Sequence, residues 1–135
     1  MAPVSAILLF LFSSLAWGES ILVMGDSLSA AYGMPQREGW VALLQERLDR
    51  NGHTLKVVNA SVSGETTHGG VTRLTKHLQR AKPELVLIEL GANDGLRGVP
   101  LQVMQRNLLT LVQRSQAAGA RVMLLEMKLP PNYGP

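Results

Sequence analysis

The stretch Ile21-Leu22-Val23-Met24-Gly25-Asp26-Ser27-Leu28-Ser29 sets a hydroxyl on a polar tip directly after four apolar residues. Such a run bounded by glycine suits a strand buried on both faces, and Gly25 permits the tight turn that lifts Ser27 out of the sheet. Ser27 at the carboxyl end of a strand is a candidate nucleophile. Ser and Asp also favour helix starts, so Ser27 has a second reading as a cap. The tip is not the Gly-x-Ser-x-Gly elbow, because Ser29 stands where the second glycine would be. Two more tips have similar chemistry: Ser61 to Thr67, which contains Gly64, and Gly91-Ala92-Asn93-Asp94-Gly95. Asn93 reads alone as an Asx-turn and Gly64 as a positive-φ turn.

Hydrophobic spacing predicts the elements that carry these tips. Glu38 to Asn51 reads as a helix in which Trp40, Val41, Leu43, Leu44 and Leu48 share a face and Gly52 ends the run. Leu55 to Asn59 is a second strand, followed by a helix over Val71, Leu74 and Leu78. Glu84 to Leu90 is a third strand, and Gly91 to Gly95 a loop. A long helix begins near Pro100, with Leu101, Met104, Leu108, Leu111, Val112 and Ser115 at helical spacing, and Gly119 closes it. Arg121 to Met127 is a fourth strand. Strand and helix alternate, which predicts a three-layer α/β/α, flavodoxin-like, doubly wound parallel sheet. Ligands of such sheets sit beyond the carboxyl ends of the strands, where strand order reverses, and all three tips fall at that edge.

The chain has 135 residues, 46% hydrophobic and 17% charged, ordinary values for one globular domain. Its net charge of +3 is scattered, with no basic run or aromatic platform, so no nucleic-acid partner is expected. Cys is absent, which removes disulfides and thiolate chemistry. Residues 1–18 carry no charged side chain, are largely apolar from Val4 to Ala16, and end in Ala16-Trp17-Gly18. They are expected to be a signal peptide, with residues 19–135 as the exported domain, periplasmic or secreted. An uncleaved anchor is the alternative, although the run is short for a membrane span.

The three tips together resemble the first blocks of the SGNH, or GDSL, hydrolases. Gly25-Asp26-Ser27-Leu28-Ser29, Gly64 in Asn59 to Thr67, and Gly91-Ala92-Asn93-Asp94 occur in register. The likeness is closest to the bacterial periplasmic thioesterase, arylesterase and lysophospholipase subgroup, and extends to Leu129-Pro130-Pro131-Asn132-Tyr133-Gly134. It implies Ser27 as the nucleophile on an ester or thioester carbonyl. The oxyanion would be held by the backbone N–H groups of Ser27 and Gly64 and the Asn93 amide, with Gly25, Asp26 and Asp94 in support. It implies an acyl ester, acyl thioester or lysophospholipid as substrate, no metal or other cofactor, and a monomer. A carbohydrate deacetylase uses the same blocks. A doubly wound binding domain holding Mg²⁺ between Asp26 and Asp94 is the reading from another class.

One family block does not occur. No Asp-x-x-His is found in the 135 residues, and a serine without a base is a poor nucleophile. His53 follows Gly52 at the far end of the sheet, and His77 is expected in solvent beside Lys76, Gln79 and Arg80. His68 alone follows a site tip. The fourth strand is left as an apolar edge with no covering element, a pattern that complete domains avoid. The expectation is a chain that stops before the last strand, the Asp-x-x-His loop and the final helix, and is itself nearly inactive.

Overall fold

The computed structural model describes residues 18–128, so the expected signal peptide, apart from Gly18, and the Leu129 to Pro135 stretch lie outside the described residues. The elements in order are β1 (Gly18–Gly25), α1 (Trp40–Arg50), β2 (Lys56–Asn59), α2 (Thr67–Ala81), β3 (Pro83–Glu89), α3 (Ala92–Leu96), α4 (Leu101–Ala117) and β4 (Arg121–Leu124). A short 3₁₀ turn, Gln36–Glu38, leads into α1. All strand pairs are parallel, in the order β2-β1-β3-β4. The expected α/β sheet is therefore present among the described residues, and strand order reverses between β1 and β3.

Alternation along the two central strands divides the core between the faces of the sheet. Ile21, Val23 and Leu87 face α1, where Val41, Trp40, Leu44 and Leu48 cover them. Leu22, Met24, Val86, Ile88 and Leu90 face α2 and α4 and pack on Leu74, Leu78 and Leu111. Helix α2 lies very close to the sheet, because a Cβ on Gly70 would stand 2.6 Å from Leu90 Cδ1.

Four expectations are corrected in detail. Leu43 is 48% exposed, because it falls outside the α1 stripe of Trp40, Val41, Leu44 and Leu48. Leu101 is 65% exposed, since the stripe of α4 that meets the sheet begins at Leu108, Leu111 and Val112. Strand β4 ends at Leu124 rather than Met127, although Leu125 N still donates to Ile88 O at 2.9 Å. Residues Ala92–Leu96 form the one-turn helix α3 instead of a loop, closed by Gly95 N donating to Gly91 O at 3.1 Å. Gly91 makes that abrupt start with φ of 127°, which disfavours any side chain.

Truncating Leu74 to alanine should lower unfolding free energy in denaturant by about 2–5 kcal/mol, as for other buried leucines. Leu43→Ala should stay within about 0.5 kcal/mol of the parent. Equal losses in the full-length protein would mean that the core is wrongly drawn.

Candidate active site

Ser27 is half-buried on the turn that leaves β1. The turn is held by Ala30 N donating to Asp26 O at 2.9 Å, Tyr32 N to Ser27 O at 3.1 Å, and Leu28 N to Asp26 Oδ1 at 3.0 Å. Residues 27–33 form turns rather than a helix, so Ser27 caps none. Gly25 serves the site differently from the expectation. A Cβ there would stand 2.6 Å from Ser29 Oγ and 2.9 Å from Ser61 Oγ, so glycine is needed for close approach.

The tip after β2 is fastened from several sides. Val62 N donates to Gly25 O at 3.0 Å, and Asn59 Nδ2 donates to Ser29 O at 2.8 Å, which ties the first two tips together. Arg73 of α2 reaches back to Glu65 Oε2 at 2.6 Å and to Ala60 O at 2.9 Å. Gly64 has φ of 79°, and its carbonyl accepts from Arg97 Nη2 at 3.0 Å.

Asn93 lies on α3, and its side chain crosses to the other two tips. Its Nδ2 donates to Glu65 O at 3.0 Å and to Asp26 Oδ2 at 3.3 Å. It therefore makes no Asx-turn in its own loop. Asp94 is buried and accepts from Thr67 N at 2.8 Å and Thr67 Oγ1 at 2.6 Å, while Asn107 Nδ2 of α4 donates to the same Thr67 hydroxyl at 3.0 Å. Asp26 and Asp94 thus brace the tips, with donors on both oxygens of each. The structure brings Gly25, Asp26, Ser27, Gly64, Asn93 and Asp94 to one edge of the sheet.

Glu89, the last residue of β3, belongs to this site and went unremarked in the sequence. It is 3% exposed. Its Oε1 accepts from Ser29 Oγ at 2.5 Å and, more weakly, from Asp26 N at 3.4 Å, while Oε2 has no partner among the described residues. Trp40 Nε1 donates to Ser29 Oγ at 3.2 Å. Burial is the main cause that raises the Glu89 pKa from 4.5 to about 7, and the Asp26 charge and side chain push the same way against the Ser29 bond. A lone acid ending the apolar run Leu85 to Ile88 was the available signal.

None of the histidines bonds to Ser27 among the described residues. His53 is exposed in the turn before β2, at the opposite end of the sheet. His68 is exposed in the first turn of α2. His77 is half-buried, not freely solvated: its Nε2 lies 3.4 Å from Arg73 Nη1, and burial, then Arg73, Arg80 and Lys76, lower its pKa. Among the described residues no three His, Cys, Asp or Glu side chains cluster as metal ligands. An apolar cavity of about 380 Å³ opens beside α3, with Ala92, Met104, Leu108, Leu124 and Met127 in its wall.

A parallel sheet with a serine turn, a glycine tip and a crossing asparagine gathered at its switch point defines a doubly wound α/β protein with one candidate site at that edge. The chain belongs to the GDSL-like lipase/acylhydrolase family, whose model matches residues 23–135. It is 52% identical over 127 residues to Esterase TesA of Pseudomonas aeruginosa, covering 94% of this chain and 63% of that protein. It is 45% identical over 131 residues to an arylesterase of Vibrio mimicus, covering 96% of this chain and 66% of the relative. The crystal structure of a psychrotrophic esterase, EstA from Pseudoalteromonas sp., inhibited by monoethylphosphonate, matches with a TM-score of 0.82 at 55% identity. That match covers 87% of this chain and 64% of EstA. The chain spans less than two thirds of the length of these relatives.

The raised Glu89 pKa has a defined effect on stability. Below about pH 4.5 the carboxyl is protonated in folded and unfolded chains alike, and its contribution is fully present. Above that only the folded protein keeps the proton, so the contribution falls as pH rises and is lost once pH passes about 7. Denaturant unfolding across this window should show the parent losing stability relative to Glu89→Gln. A pH-independent difference would contradict the shift.

Proposed function

We propose that the protein is a serine ester or thioester hydrolase of the arylesterase, thioesterase and lysophospholipase type. Ser27 Oγ attacks the carbonyl carbon, and the tetrahedral oxyanion takes hydrogen bonds from the Ser27 and Gly64 N–H groups and from Asn93 Nδ2. The observation that carries this reading is the Asn93 amide spanning Glu65 O at 3.0 Å and Asp26 Oδ2 at 3.3 Å. The shorter bond fixes the amide. The longer one leaves a hydrogen that a developing oxyanion can claim, at a point braced before the substrate arrives. Positive φ at Gly64 and the Arg97 bond to its carbonyl hold the peptide of the second tip, which supports its N–H as a donor.

The carbohydrate deacetylase, which uses the same three blocks, is the second reading. The Mg²⁺ reading has less support still, because both carboxylates already receive N–H or O–H donors. The substrate is proposed to be a small acyl ester, acyl thioester or lysophospholipid, and the enzyme an exported monomer. No helix among the described residues is long and apolar enough to cross a membrane. The base is not one of His53, His68 or His77 in this reading.

In the full-length protein Ser27→Ala should abolish p-nitrophenyl ester turnover and fluorophosphonate labelling. Asn93→Ala should reduce kcat by about 10²–10³, the usual effect of losing one oxyanion donor. Turnover that survives Ser27→Ala, or that vanishes with EDTA, would defeat the hydrolase assignment.

The 135 residues alone should hydrolyse esters negligibly for want of a base. Robust hydrolysis by this chain that disappears in His68→Ala would show that the base had been misassigned.

A further inference from the structure

Two carboxyl groups meet beneath the Ser27 turn, both almost wholly buried: Asp26 is 2% exposed and Glu89 3%. Asp26 N donates to Glu89 Oε1 at 3.4 Å, which seats the Glu89 carboxyl against the residue that carries the second acid. Two adjacent buried carboxylates repel each other, whereas one proton between them turns that repulsion into a hydrogen bond. Glu89 Oε1 is taken by Ser29 Oγ and Asp26 N, so Oε2, which lacks a donor, is the oxygen free to hold that proton. Asp26 passes the constraint on: Oδ1 accepts from Leu28 N beside Ser27, and Oδ2 from Asn93 Nδ2.

We propose that Glu89 and Asp26 form a carboxylic acid–carboxylate pair, with the proton on Glu89, that positions the Ser27 turn and the Asn93 amide as one unit. The inference rests on the hydrolase reading for its consequence in turnover, though not for the pair itself. Glu89 is then a positioning residue that acts through Asp26. Its proton also tempers the charge on Asp26, so the 3.3 Å bond to Asn93 is one that an oxyanion can outcompete.

Only neutral groups bond to the pair among the described residues. From α1, Trp40 Nε1 donates to Ser29 Oγ at 3.2 Å. From the β1 turn the facing groups are Ser29 and Asp26. On the β4 side the acid is Glu126, which is exposed. No Lys, Arg or His bonds to Glu89 or Asp26 among the described residues.

The test compares Glu89→Ala with Glu89→Gln in the full-length protein, because the glutamine amide donates to Asp26 as the protonated acid would. Glu89→Ala should lower kcat at least about tenfold with KM within about twofold, and Glu89→Gln should restore most of that loss. A parental kcat in Glu89→Ala, or a Glu89→Gln as poor as Glu89→Ala, would overturn the proposal. The pair is also read without turnover, by carboxyl ¹³C NMR of the Ser27→Ala protein, with the Glu89 signal assigned by its loss in Glu89→Gln. That signal should titrate near pH 7, and a carboxyl fully ionised by about pH 5.5 would overturn the pair. Hydrolysis that survives Ser27→Ala would fault the hydrolase reading instead, and the NMR titration would still decide the pair.

Discussion

The rung that pairs Gly25 of β1 with Glu89 of β3 is the constraint on which the candidate site depends. It lies where strand order reverses, so the loops leaving the two strands diverge over opposite faces and open a crevice between them. The same rung buries a carboxyl against the first tip. A buried acid is costly unless its polar atoms are partnered, and Ser29 and the Asp26 backbone supply partners that lie on the Ser27 turn itself. The acid and the turn are therefore stable only together.

Outward from that rung, side chains bonded to backbone do most of the fastening. Asn59 holds Ser29 O, Arg73 holds Ala60 O, Arg97 holds Gly64 O and Asn93 holds Glu65 O, each across a gap between elements. Burial decides which charges matter. The Arg73–Glu65 pair is mostly enclosed, with side chains 29% and 11% exposed, and it anchors the glycine tip. The Arg50–Glu46 pair, 69% and 59% exposed, sits in solvent where such pairs contribute little.

The architecture was legible because its signals are local. Apolar runs at Ile21 to Met24 and Leu85 to Ile88, together with the Val71, Leu74, Leu78 stripe, announce buried strands and an amphipathic helix whatever surrounds them. The convergence of the three tips was legible from the edge rule for parallel sheets. What escaped depends on partners distant in sequence. Glu89 looks like the polar end of a strand until Ser29, sixty residues earlier, comes under it. Thr67 looks like a helix start until Asp94 and Asn107 close on it. The helix at Ala92–Leu96 escaped because Asn, Asp and Gly favour turns, and the cross-tip bonds of Asn93 and Asp94 override that preference. Gly25 was singled out for its turn, and the close approach of Ser29 and Ser61 to it shows only in three dimensions.

The alternation along β3 makes its length a setting of the machine. Side chains on a strand swap faces at each step, so Leu85, Leu87 and Glu89 look one way while Val86, Ile88 and Leu90 look the other. One residue added or lost between Pro83 and Ile88 would swing the acid into the greasy layer under α2 and α4 and turn a leucine or isoleucine toward Ser29. Insertions or deletions in this strand therefore keep the acid beside Ser29 only when they come two residues at a time.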